Sequence, residues 1–149
     1  MKKLPVLAVI LLLVIIVVAA VTAGRMGETS HAYARGRVVL DDKLKDAAKG
    51  VRTLFIIVRN PEMPMPLGVQ RTSLTSDPSG TVYEFVLTKD NMQRMGMGDV
   101  PLPEQFMLKA RLDKYGQGGA DQSGDLTGEV YPVKLGAEDV EIHIDHLVP

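Results

Sequence analysis

No cysteine and no tryptophan occur in this chain of 149 residues, and it holds only three histidines, three phenylalanines and four tyrosines. Without cysteine there is no disulfide framework, no thiolate metal site, no redox motif and no thiol to carry a lipid. So few rings supply no stacking platform for single-stranded nucleic acid, and a formal net charge of −1 supplies no basic footprint, so no nucleic-acid partner is expected. Catalytic signatures are equally scarce. Ser30, Ser73, Ser76, Ser79 and Ser123 all lie in turn-like or linker sequence, and no G-x-S-x-G elbow occurs. Gly116, Gly118 and Gly119 do not stand between a strand and a helix, so they form no phosphate or dinucleotide loop. The acidic pairs Asp41-Asp42 and Glu138-Asp139 flank apolar runs, where solvation is their ordinary work. No enzyme and no cofactor are expected.

Charge is missing altogether from one stretch. Leu4 to Ala23 carries no ionisable side chain and follows Lys2 and Lys3. As a helix, twenty residues rise about 30 Å, the thickness of a bilayer's hydrocarbon core. The run is longer than the apolar core of most signal peptides and rich in Ile and Val. An uncleaved anchor over residues 1–24 is therefore expected, with cleavage after Val21-Thr22-Ala23 as the alternative. Either way the lysines stay on the cytoplasmic side and the rest is exported. A membrane crossed once, with the C-terminal part on its extracytoplasmic side, is expected. That part keeps 15 of the bases and all 18 acids, a net charge of −3.

Residues 25–34 read as a short polar linker, and residues 35–149 as one domain. There, short apolar runs alternate with Gly, Pro, Asp and Ser, the pattern of an all-β domain. Arg35 to Leu40 is a candidate strand, and Asp41 to Gly50 a helical turn or loop. Thr53 to Arg59 is a continuous apolar run, as in a strand buried on both faces. Leu67 to Arg71 is short and alternating. Thr81 to Leu87 sets Tyr83, Phe85 and Leu87 on one face. Phe106 to Leu112 sets Phe106, Leu108, Ala110 and Leu112 one way and Met107, Lys109 and Arg111 the other. Glu129 to Leu135 and Val140 to Leu147 complete seven or eight strands. The expected closure is a two-layer antiparallel β-sandwich, Ig-like, or a small barrel. Asp77-Pro78-Ser79-Gly80 is a turn, and the Gly-rich Tyr115 to Gly119 opens a loop running to Gly124. Leu54 to Val58 is the expected core strand, in which Phe55→Asp should prevent folding.

Two clusters are candidate sites. Met63, Met65 and Pro66 lie in one Pro-containing loop, and Met92, Met95 and Met97 in another. Flexible thioether side chains suit an adaptable partner-binding surface, and exported methionines also suit Cu(I). Glu141, His143 and Asp145 share one face of the last strand and are weak candidates for a divalent cation. Same-face neighbours on a strand stand about 6.5–7 Å apart and converge poorly on one ion, so solvation competes with ligation.

Six stretches, in order, are similar to the C-terminal periplasmic domain of cytochrome c biogenesis proteins of the CycH/CcmI type: Leu54 to Arg59, Met65 to Arg71, Leu87 to Met97, Ala110 to Gly116, Gly124 to Gly128, and Ile144 to Pro149. The resemblance covers about Gly36 to Pro149. It implies a membrane-anchored assembly factor in c-type cytochrome biogenesis, crossing a bacterial inner membrane once with its C-terminal domain in the periplasm. Its partners would be the membrane haem-ligation complex and apocytochrome c, with inner-membrane lipid around the N-terminal helix. Members of that family carry a tetratricopeptide array that has no counterpart here. An accessory structural subunit of a haem- or copper-containing respiratory complex is thus an alternative, and a Cu(I)-handling protein using the methionine loops another.

Overall fold

The computed structural model describes residues 31–96 and 100–149. The segment read as an anchor and Met97 lie outside them. Among the described residues nine strands follow one another: β1 (Ala34–Leu40), β2 (Thr53–Arg59), β3 (Pro66–Ser73), β4 (Thr81–Leu87), β5 (Gln93–Arg94), β6 (Gln105–Asp113), β7 (Leu126–Lys134), β8 (Ala137–Ile144) and β9 (His146–Leu147). β4, β1 and β8 make a three-stranded sheet in that order, and β5, β3, β2, β6, β7 and β9 a six-stranded one. Neither sheet closes on itself, so the two layers form an Ig-like sandwich and not a barrel.

Alternation decides what lies between the layers. From the large sheet come Leu54, Ile56, Val58, Phe106, Leu108 and Leu112; from the small one come Val38, Leu40, Phe85, Leu87, Ile142 and Ile144, all buried. Each such side chain, withdrawn from water, contributes about 1.5–3 kcal/mol before the entropy of ordering is set against it. β2 and β4 coincide with their predicted ranges. β7 begins three residues before the predicted start, because Leu126 is needed in the core.

One pairing departs from the antiparallel expectation: β1 and β8 run parallel. The link Leu135–Gly136, with Gly136 at φ +82°, carries the chain from β7 in one sheet to β8 in the other, where it runs beside β1 in the same direction. Glu138 and Asp139 do not flank this strand but lie within it, where the pairing with β1 shifts register and Asp139 takes φ +57°. Backbones approach closely at two glycines. A Cβ at Gly36 would stand 1.8 Å from the Val140 carbonyl oxygen, and one at Gly128 1.8 Å from that of His143. Only glycine lets β7 lie against β8 there, which fastens the two sheets together.

Between β1 and β2 the chain makes one 3-10 turn, Asp42–Leu44, whose preceding Asp41 accepts a 3.0 Å hydrogen bond from the Lys43 N–H. Gly80 takes the left-handed backbone its sequence suggests, at φ +56°, just before β4, while Asp77 to Ser79 form no hydrogen-bonded turn.

Candidate functional site

The outer face of the six-stranded sheet is where the sequence is hardest to read. Phe55, Ile57 and Arg59 of β2 point there, and pairing aligns them with β3 and β6. Phe55 stands between Arg71 and Arg111, and Ile57 between Val69 and Lys109. Alternating charge on β6 suggests solvent, yet Lys109 is only 8% exposed and Arg111 only 3%. The cover is the Gly-rich loop 114–124, which folds back over the sheet.

Two carboxylates clamp the roots of that loop. Asp113 accepts from the backbone N–H groups of Tyr115 at 3.1 Å, Gly116 at 2.7 Å and Gly118 at 3.2 Å. Asp125 accepts from those of Lys114 at 3.0 Å and Gln122 at 2.9 Å. Arg111 joins both clamps to the middle of the loop. It donates to the Gly119 carbonyl at 2.7 Å and to Asp121 at 3.2 Å, and stands 3.2 Å from Asp113 and 3.9 Å from Asp125. Its guanidinium also lies 5.0 Å from the centre of the Phe55 ring, within cation–π range. Lys109 donates to Asp121 from below. Burial pushes the Asp121 carboxyl up, but the hydrogen bonds from Lys109 and Arg111 outweigh it and hold the group below its ordinary 3.8.

This clamped loop is one wall of a 610 Å3 groove. The floor is Phe55, Ile57 and Val69; the opposite wall is Pro64, Pro66, Gln93 and Met95; Arg59, Lys109, Arg111 and Asp121 supply the charge. The predicted methionine sites divide around it. Pro66 and Met95 line the groove, and the backbone N–H of Met95 is held by the Leu67 carbonyl at 3.0 Å. Met63 and Met65, exposed at 47% and 58%, stand on the Asn60–Pro66 connection beside it. Met92 is not a surface residue. It is 5% exposed in the core, seated where Gly68 leaves room, and a Cβ on Gly68 would come within 2.7 Å of its sulfur. Asn91 aims it inward by accepting from the Thr88 N–H at 2.9 Å and donating to the Val86 carbonyl at 2.6 Å.

The predicted metal candidates lie elsewhere, on the small sheet. Glu141 accepts from Arg37 Nε at 2.6 Å and pairs through its other oxygen with His143. The Arg37 hydrogen bond, chief among several causes, holds the Glu141 carboxyl below its ordinary value. Asp145 falls in the break between β8 and β9, its N–H donating to the Thr127 carbonyl at 3.2 Å. Among the described residues no three His, Cys, Asp or Glu side chains are grouped to hold a metal ion.

The buried cluster of Arg111, Asp113 and Asp125 escapes residue-by-residue reading. Its signal is positional: a strand with charges at its outward positions runs straight into a Gly-rich loop, and an aspartate stands at each root. Those aspartates belong to the stretches Ala110 to Gly116 and Gly124 to Gly128.

Comparison with known proteins bears on this chain directly. The family model described as the cytochrome c-type biogenesis protein H Ig-like domain matches residues 35–145. An uncharacterised protein of Aquifex aeolicus (strain VF5) is 35% identical over 121 residues, covering 77% of this chain and 71% of the relative. No solved structure matches.

Proposed function

Because the chain belongs to the family of the Ig-like domain of cytochrome c-type biogenesis protein H, we propose that it acts in c-type cytochrome biogenesis as a protein-binding assembly factor. The observation that carries this reading is the family match, which spans nearly the whole described sandwich and all the elements that build the groove. The role is non-catalytic. The groove offers a floor of Phe55, Ile57 and Val69 and a wall that includes the exposed Met95, with exposed Met63 and Met65 on the connection beside it. Unbranched thioethers on a rigid β-scaffold adapt to a partner's contour, and apolar surface beside fixed charge is the composition of a contact patch.

The partners are the membrane haem-ligation complex and apocytochrome c. The working location is the periplasmic face of the inner membrane, with Leu4 to Ala23 as the anchor. Tethering at the bilayer raises the effective concentration of the domain toward membrane-bound partners. Gentle-detergent capture of the tagged full chain, followed by mass spectrometry and haem staining, tests the reading. Enrichment of maturation factors or a c-type cytochrome is expected, together with loss of covalently bound haem in a deletion strain. A deletion strain with its full complement of covalent haem would overturn it.

A further inference from the structure

The groove has a charge pattern that selects among possible partners. The exported part is acidic overall, yet the residues lining the groove include three cations and one acid. Two of those cations are committed: Lys109 and Arg111 are both bonded to Asp121, and Arg111 also to the clamps. Arg59 is different. Among the described residues its guanidinium meets only the Pro64 carbonyl, at 3.4 Å. Arg71, beside Phe55 at the other end of the apolar floor, meets among the described residues only the Gly116 carbonyl, at 3.3 Å, and the Phe55 ring face, 5.9 Å from its centre. Arg71 is exposed and Arg59 half-buried, and among the described residues each guanidinium is bonded to one carbonyl and to no carboxylate, with donor capacity left over.

Their spacing follows from register. Arg71 pairs with Phe55, four residues along β2 from Arg59, so the two cations stand about 13 Å apart along the sheet, with Ile57 and Val69 between them. An extended chain places side chains i, i+2 and i+4 on one side over that same length. Resting on the docking role proposed above, we infer that the groove takes an extended segment of a partner protein in which an apolar side chain is flanked at two residues' distance by carboxylates. The apolar group sits on Ile57 and Val69 between Met95 and the Gly-rich loop. Arg59 receives one carboxylate and Arg71 the other, each through the two-pronged geometry that guanidinium offers and ammonium does not. A membrane surface is the poorer occupant, because the domain's net negative charge opposes anionic lipid and the groove is walled on two sides.

The test uses the full chain in detergent micelles, with 13C-methyl-labelled methionine as reporter. Three peptides are compared: Gly-Glu-Gly-Leu-Gly-Glu-Gly, its Gln-for-Glu form, and its Lys-for-Glu form. The Glu peptide should shift the Met95 methyl signal saturably, bind at least tenfold more tightly than the Gln form, and weaken as salt is raised. Arg59→Gln and Arg71→Gln should each reduce affinity several-fold with an unchanged unfolding midpoint, and Arg59→Lys should restore only part of the loss. Equal binding of the Glu and Gln peptides would overturn the inference, as would shifts confined to methionines away from the groove. Binding of phosphatidylglycerol vesicles in preference to the Glu peptide would reassign the cations to lipid and overturn it too. If a maturation factor is still captured by the full chain, those failures leave the docking role standing; if capture also fails, both fall.

Discussion

The two faces of strands β2 and β6 are built by opposite means. Toward the small sheet they present Leu54, Ile56, Val58, Phe106, Leu108 and Leu112, held by close packing and exclusion of water. Away from it they present Phe55, Lys109, Arg111 and Asp113, nearly as well buried, but held by hydrogen bonds between charged groups and a folded-back loop. Apolar packing tolerates small errors, since its energy is spread over many contacts. The outer arrangement has a few strong connections, and each leaves a buried charge behind when broken. Only the second kind leaves polar groups near a surface concavity, which is why the groove lies on that face.

The contrast is sharpest at neighbouring residues. Ile56→Asp, on the inner face, would bury a carboxylate with no partner at a cost of several kcal/mol, comparable to the stability of a small domain. No cooperative urea transition is expected from that variant. Phe55→Asp, the substitution the sequence marks as fatal, is expected to leave a folded protein with a lowered midpoint. Its carboxylate would stand between Arg71 and Arg111, which already flank the ring. If both variants unfold alike, the two faces are not built differently.

Arg111→Leu should cost about 3–5 kcal/mol in urea unfolding, because Asp113 and Asp125 would remain buried without their cation. The loss should be accompanied by faster hydrogen exchange at the Gly116 and Gly118 amides that Asp113 holds. A cost below about 1 kcal/mol would mean that the loop is held by its backbone alone.

A smaller effect is expected where the sheets meet. Gly128→Ala should lower stability by about 1–3 kcal/mol, since the new methyl group must push the His143 carbonyl away. The measurement is the thermal midpoint, and an unchanged value would contradict the close approach of β7 and β8.

The least of these effects is the dependence on pH. The folded Asp121 carboxyl lies below 3.8, its ordinary value, so its contribution is complete well above that pH and is lost as pH falls through the lower folded value. Asp121→Asn should therefore be less stable than the wild type at neutral pH, with the gap closing as pH drops below about 5. A gap that stays constant down to pH 3 would show that Lys109 and Arg111 do not stabilise the charged form.

How much of this the sequence discloses follows the same division. Inner-face residues announce themselves, because alternation of apolar and polar positions is a local pattern: Phe106, Leu108, Ala110 and Leu112 are legible as one face, as are Phe85 and Leu87. The left-handed glycine at Gly80 is equally local. The outer face is not, because Lys109 and Arg111 read as solvated positions until a loop beginning three residues later covers them. Met92 misleads for the same reason. It sits in a run of exposed-looking methionines, and only Gly68, on another strand, shows that there is room for it inside. The parallel pairing of β1 with β8 depends on a crossing between sheets that no short window of sequence contains.

The most direct test of the docking account is photo-cross-linking in intact membranes, with p-benzoylphenylalanine placed in turn at position 95 in the groove wall and at position 86 on the exposed side of β4. The account predicts adducts from position 95 that contain a protein of the haem-ligation complex or an apocytochrome c, and few from position 86. Adducts to such proteins from position 86 but not from position 95 would contradict it.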